Sequence, residues 1–259
     1  MTFGVSKPDF PAGCAVLFGA SGGLGSVTAR LMAERGSHVV LTYSSRAAEA
    51  AEVVADIERH GGQAMAVQCD VRERASIDAV VAAAVERFGA VHSVLSSQGF
   101  KYATGVFAEA DPDGVRRKFE IDVIGFLNIC QATIPPLREN GGGSILAIVS
   151  PAITRFVPGY GLGATPKAGV VSMVKYFAGE EGRNNIRVNA VAPGVINAGM
   201  AIKLSEGPAK EILDRAVAAT PLGRLGEAAE VAELLTFLAS AKAGYVTGQV
   251  VMIDGGFSL

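Results

Sequence analysis

Phe18-Gly19-Ala20-Ser21-Gly22-Gly23-Leu24-Gly25 decides the architecture of this chain. The residues before it, Cys14-Ala15-Val16-Leu17-Phe18, form a short unbroken apolar run, the pattern of a strand buried on both faces. The residues after it place Leu24, Val27, Thr28, Leu31 and Met32 on one face of a helix. Strand, glycine turn and helix in that order make the first half of a dinucleotide-binding unit. Gly19 permits the tight turn, Gly23 lets the backbone approach a pyrophosphate, and Gly25 lets helix and strand pack closely. The helix N-terminus then offers free N–H groups to phosphate charge.

Composition narrows the remaining classes. A chain of 259 residues suits one α/β domain, and 49% hydrophobic against 19% charged residues suits a compact core. The formal net charge is −2 and no dense basic patch is present, which argues against a nucleic-acid partner. No run of 18 apolar residues exists to cross a membrane. Met1 to Pro11 lacks the basic-then-apolar order of a secretory signal, and residues 1–12 read as a loose lead-in. Cys14, Cys69 and Cys130 are far apart and odd in number, as expected of reduced thiols in a cytoplasmic protein, and no metal spacing appears. His38, His60 and His92 read as residues that cap or flank strands.

Further along, His38 to Tyr43 reads as the second strand. Its end meets the adenosine ribose in a dinucleotide fold, and an acid there would favour NAD. Tyr43-Ser44-Ser45-Arg46 offers hydroxyls and a guanidinium instead, which suit a 2′-phosphate and hence NADP(H); the bland reading makes Arg46 a solvated residue opening the next helix. Ala64 to Cys69 is a third strand, followed by Asp70-Val71. Ile77, Val80, Val81, Ala84, Val85 and Phe88 form a sheet-packing helix. His92 to Ser97 is a fourth strand, ending at Ser96-Ser97-Gln98-Gly99-Phe100. In the helical region that follows, Pro135-Pro136 and Gly141-Gly142-Gly143 signal a break and a turn. Ser144 to Val149 is the fifth strand, ended by Ser150. Ile186 to Val191 is the sixth, Val231, Leu234, Leu235 and Leu238 mark another helix, and Gln249 to Ile253 is the last strand.

The Gly-x3-Gly-x-Gly spacing resembles that of the short-chain dehydrogenase/reductase family, and the resemblance runs from about Cys14 to the end of the chain. It implies a Rossmann-like doubly wound parallel sheet of about seven strands in a three-layer α/β/α domain spanning 1–259. It assigns Gly19, Ser21, Gly23, Leu24 and Gly25 to the cofactor phosphates, Ser44, Ser45 and Arg46 to the adenosine ribose, and Gly99 to the cofactor cleft. Asp70 and Val71 fall where the family holds adenine, with helix capping as the competing role for Asp70. Pro193, Gly194 and Ile196 fall in the loop that holds the nicotinamide, although the usual threonine is Ala198. The family's relay asparagine is replaced by Asp122, which cannot donate as an amide does.

The resemblance also makes Ser150 a donor to the substrate oxygen and Lys167 the residue that bonds the nicotinamide ribose. The usual tyrosine, four residues before that lysine, is Gly163. Tyr160 stands seven before it instead, in Tyr160-Gly161-Leu162-Gly163-Ala164-Thr165-Pro166-Lys167. Tyr-x6-Lys is similar to the enoyl-acyl-carrier-protein reductases of the superfamily, as are Gly248-Gln249 and Asp254-Gly255-Gly256. In a helix, positions seven apart share a face at a spacing of about 10 Å. Pro166 places the start of regular helix within one turn of Lys167, with Tyr160 in the loop before it. The bland reading leaves Tyr160 a cleft-lining aromatic. The implied function is NADPH-dependent reduction of an enoyl thioester, with Tyr160, Lys167 and Ser150 catalytic. The alternatives are a carbonyl reductase with a displaced tyrosine, and a cofactor-binding protein with little redox activity. Residues from about 199 to 219 read as a substrate lid, where Met200, Ile202, Leu204, Ile212 and Leu213 suit an apolar acyl group or plain packing. The family further implies a dimer or tetramer.

Overall fold

Alternating side chains of β1 (Cys14–Phe18) divide the interior in two. Cys14, Val16 and Phe18 point into one apolar layer, Ala15 and Leu17 into the other, and all five are buried. A strand with both faces covered belongs inside a parallel sheet. This computed structural model describes residues 8–99, 105–198 and 210–259.

The sheet is wholly parallel and has seven strands, in the order β3-β2-β1-β4-β5-β6-β7. β2 is His38–Tyr43, β3 Ala64–Gln68, β4 Val91–Ser96, β5 Gly143–Ile148, β6 Ile186–Pro193 and β7 Val250–Ile253. The helices are α1 (Gly23–Glu34), α2 (Ala47–Arg59), α3 (Arg74–Phe88), α4 (Pro112–Phe119), α5 (Gly125–Glu139), α6 (Gly161–Glu181), α7 (Lys210–Ala218) and α8 (Ala228–Ala239). One layer holds α1, α2 and α8 against Leu17, Leu41 and Leu146; the other holds α3, α5 and α6 against Val16, Val94 and Ile145. The expected doubly wound architecture is present. Strand order reverses between β1 and β4, so a crevice opens beyond the carboxyl ends of these two parallel strands.

Several local expectations are corrected. Pro135-Pro136 does not break the helix; both sit inside α5. Pro135 deprives the Gln131 carbonyl of its helical donor, and the Arg74 guanidinium supplies one at 3.2 Å. Pro166 likewise lies inside α6, which begins at Gly161, further from Lys167 than one turn. The first turn is held locally: the Tyr160 carbonyl accepts the N–H groups of Gly163 and Ala164, both at 3.0 Å, and the Thr165 hydroxyl bonds the Gly161 carbonyl at 2.8 Å. The proline therefore removes one bond from an otherwise satisfied start. The buried stripe of α1 is Gly25, Thr28, Ala29 and Met32, displaced from the expected face, and Val85 of α3 points outward. Of the lead-in, residues 1–7 lie outside the described residues, and the rest is docked. Phe10 is buried, and Asp9 pairs with Lys242 at 2.7 Å.

His92 lies within β4 rather than at its flank, stacked on Phe10 and in contact with the hydroxyls of Ser37 at 3.2 Å and Ser93 at 3.0 Å. Burial pushes its pKa down to about 4, so the ring is neutral at pH 7. The three cysteines are buried and unbridged, all in the layer of α3, α5 and α6. Burial pushes the Cys14 thiol up to about 12 and raises those of Cys69 and Cys130. Among the described residues, no helix is long and apolar enough to cross a membrane.

Candidate active site

The glycine turn fills the crevice beside β1. Gly19 has φ +76°, and a Cβ there would stand 2.6 Å from the Gln98 Cα. Its N–H donates to the Thr42 hydroxyl at 3.1 Å, so the end of β2 holds the turn. A Cβ at Gly25 would stand 2.7 Å from both the Ala20 Cα and the Ser97 Oγ, so α1 rests directly on the turn and on the end of β4. Gly23 is different. Its φ is +54° and nothing lies within 4 Å of where a Cβ would be, which leaves open space at the N-terminus of α1. Ser21 is buried inside the turn and Leu24 opens α1, half-buried.

Arg46 reaches this turn from β2. It precedes α2, and its Nη1 would be 2.9 Å from a Cβ at Gly22. The guanidinium thus lies over the glycine turn, with Ser44 and Ser45 exposed beside it. Open space, free N–H groups and a cation across the turn together fit a dinucleotide.

Asp70 does not cap α3; that position belongs to Glu73. Its carboxylate accepts the Arg72 guanidinium at 3.0 and 3.1 Å and the Arg72 N–H at 3.0 Å. Arg72 holds the carboxyl below the usual carboxylate range. Val71 is buried against Gly125 at the start of α5. Gly99 is exposed, just past the end of β4. Ser97 spans the gap to β1, its hydroxyl bonding the Phe18 carbonyl at 2.7 Å. Pro193 ends β6, Gly194 and Ile196 follow it, and the loop is braced on both sides. A Cβ at Gly194 would stand 2.7 Å from the Asp254 Cα, and Ile196 pairs with Gly226. The sheet so brings the cofactor candidates from β1, β2, β3, β4 and β6 to one edge.

The three candidate catalytic residues come from the segment after β5 and from the start of α6. Ser150 lies two residues past β5, half-buried, and its Oγ accepts the Ala152 N–H at 3.3 Å, which leaves the hydroxyl proton for another acceptor. Tyr160 immediately precedes α6, also half-buried, and Lys167 follows along the same helix. Tyr160 borders a cavity of about 490 Å³ whose walls include Val106, Phe107, Phe156, Val157 and Pro158. None of its described lining residues is charged. The Phe107 ring lies against Gly161, where an added Cβ would stand 3.0 Å from Cγ. The absence of a side chain at Gly161 therefore lets the Phe107 ring approach the start of α6. In the expected lid, residues 199–209 lie outside the described residues, and Leu213 of α7 is buried.

Sequence reasoning missed Lys118. Its ammonium contacts Asp122 Oδ2 at 2.5 Å, and the Lys167 ammonium approaches the same oxygen at 3.5 Å. The available signal was a lysine four residues before an aspartate on a helix. Among the described residues no cluster of three or more His, Cys, Asp or Glu could hold a metal ion.

A family model described as Enoyl-(Acyl carrier protein) reductase matches residues 19–258. An NADPH-dependent aldehyde reductase-like chloroplastic protein of Arabidopsis thaliana is 32% identical over 98% of this chain and 97% of its own length. A 3-oxoacyl-acyl-carrier-protein reductase of Thermotoga maritima is 34% identical over 93% of this chain and 96% of its own. Among solved structures, a short-chain dehydrogenase/reductase of Serratia marcescens superposes with a TM-score of 0.90 at 29% identity, covering 98% of this chain and 100% of that one.

Proposed function

The chain belongs to the short-chain dehydrogenase/reductase family of oxidoreductases, and from that premise we propose that it is an NADPH-dependent reductase of a conjugated enoyl thioester, with Tyr160 as hydrogen-bond donor to the thioester oxygen. The observation that carries this reading is the placement of Tyr160, on the wall of an uncharged cavity and just ahead of the helix that bears Lys167.

Gly19, Ser21, Gly23, Leu24 and Gly25 would hold the cofactor phosphates, Arg46 with Ser44 and Ser45 the 2′-phosphate, Asp70, Val71 and Gly99 the adenine side, and Pro193, Gly194 and Ile196 the nicotinamide side. NADPH, when bound, would supply hydride to the substrate's β-carbon, and a proton from solvent would complete the α-carbon as the enolate collapses. The chain's own work is at the oxygen. As the double bond is reduced, negative charge builds on the thioester oxygen, and the Tyr160 phenol stabilises it in the manner of an oxyanion hole. Ser150 gives a second hydroxyl donor to that oxygen. Lys167 bonds the ribose hydroxyls and so orients the nicotinamide end of the cofactor. The apolar walls take the acyl chain and keep water from the developing charge.

Replacing Arg46 tests the cofactor assignment. Arg46→Ala is expected to raise KM for NADPH roughly 10–100-fold, the loss of one or two charge-assisted bonds, and to leave KM for NADH nearly unchanged. Equal effects on both cofactors would remove Arg46 from the 2′-phosphate.

The relatives' names favour a second reading, reduction of a carbonyl by the same residues. NADPH absorbance followed with a crotonyl-type and an acetoacetyl-type thioester separates the two. Turnover of the enoyl substrate alone supports the proposal, and turnover of the keto substrate alone replaces it with the second reading. Tight NADPH binding with no turnover of either would reject both thioester assignments.

A further inference from the structure

The Asp122 side chain is fully buried, and an ionised carboxylate in such a place is costly unless cations meet it. Two do. Lys118, on α4 and 4% exposed, and Lys167, on α6 and 16% exposed, both approach Oδ2, while Oδ1 accepts no hydrogen bond. Asp122 sits at the centre of a π turn, Glu120–Ile124, that joins α4 to α5. Such turns concentrate at functional sites because they displace one side chain from the regular helical register. We propose that Lys118 and Asp122 are positioning residues for Lys167: Lys118 fixes the carboxylate, and the carboxylate fixes and charges the ammonium that faces the cofactor ribose. This rests on the reading of Lys167 given above.

The physical case is one of geometry and sign. A neutral amide at position 122 would fill the same space but would remove the negative charge that both ammonium groups approach. The carboxylate brings the cluster to a net charge of one positive and gives Lys167 a fixed partner behind its head group. Other nearby charges are engaged elsewhere. Glu120 lies in the field of Arg72, and Arg72 is bound to Asp70. Tyr160 precedes the same helix that carries Lys167. Burial lowers the Lys167 pKa from the usual lysine range; Asp122 acts to raise it, and Lys118 acts to lower it. The two positioning residues thus act on Lys167 in opposite directions.

The test is a titration of Lys167 by NMR in cofactor-free protein carrying 13Cε-labelled lysine, with the signal assigned by Lys167→Arg. It is repeated in Lys118→Met and Asp122→Asn, beside NADPH affinity and the pH profile of kcat/KM. Lys118→Met is expected to move the Lys167 midpoint up, and Asp122→Asn to move it down, each by about one pH unit. The alkaline limb of kcat/KM should follow in each case, giving Asp122→Asn about a tenfold loss above its shifted limb. If Asp122→Asn does not fold, the upward shift in Lys118→Met still decides. Variants that lose thermal stability while the Lys167 midpoint stays fixed would overturn the proposal and leave the trio structural. Midpoints that shift as expected while Lys167→Met keeps full turnover and NADPH affinity would instead reject the role given to Lys167.

Discussion

Tyr160→Phe is expected to lower kcat for the enoyl thioester about 10²–10³-fold, with NADPH affinity changed by less than about twofold. The variant keeps the ring and deletes one hydroxyl. The cavity wall, the contact of Phe107 with Gly161 and the start of α6 are therefore retained. On the proposed reading, what disappears is a donor to an oxygen that gains charge only as the reaction proceeds. Such a donor contributes about 3–4 kcal/mol to the transition state and little to the ground state, so kcat should carry the loss and KM should not. Steady-state kinetics beside an NADPH fluorescence titration checks both halves. A fall in NADPH affinity matching the fall in kcat would make the phenol a cofactor contact; unchanged kcat would make it a wall residue.

Gly19→Ala is expected to damage stability and cofactor binding together. At φ +76° an alanine costs about 1–2 kcal/mol by itself. Its Cβ would also lie 2.6 Å from the Cα and 2.7 Å from the amide nitrogen of Gln98, backbone that can retreat only by shifting the end of β4. A total on the order of 3 kcal/mol lowers Tm by roughly 6–12 °C in a domain of this size. The same shift carries Ser97 and Gln98 away from the turn that should cradle the phosphates. Thermal scans with and without NADPH provide the check. The parent protein should be raised by the ligand through linkage, and the variant should lose most of that rise. A variant with parental Tm and a full NADPH shift would contradict the close approach.

The frame was legible because parallel strands buried on both faces read as continuous apolar runs. Val39-Val40-Leu41 and Ile145-Leu146-Ala147 leave little room for another assignment. The glycine turn was legible because only glycine adopts its backbone angle at so little cost. What escaped depended on partners distant in sequence. The helix through Pro135-Pro136 needs Arg74, 57 residues before Gln131, to satisfy a carbonyl that no local pattern mentions. The Asp70 side chain is taken by Arg72, two residues on, through a turn rather than a helix spacing. Lys118 escaped because nothing in its spacing from Asp122 says that Lys167 of α6 meets the same carboxylate.

The buried cysteines have a consequence for how the chain ages. Cys14, Cys69 and Cys130 all lie behind one helical layer, and burial keeps their sulfur in the poorly nucleophilic thiol form. Alkylating agents thus find none of these three thiols on the folded surface. Damage must wait until the layer of α3, α5 and α6 lifts from the sheet, so covalent lifetime is rationed by conformational opening. Any substitution that loosens the sheet therefore shortens chemical survival as well, even when it lies far from every sulfur atom.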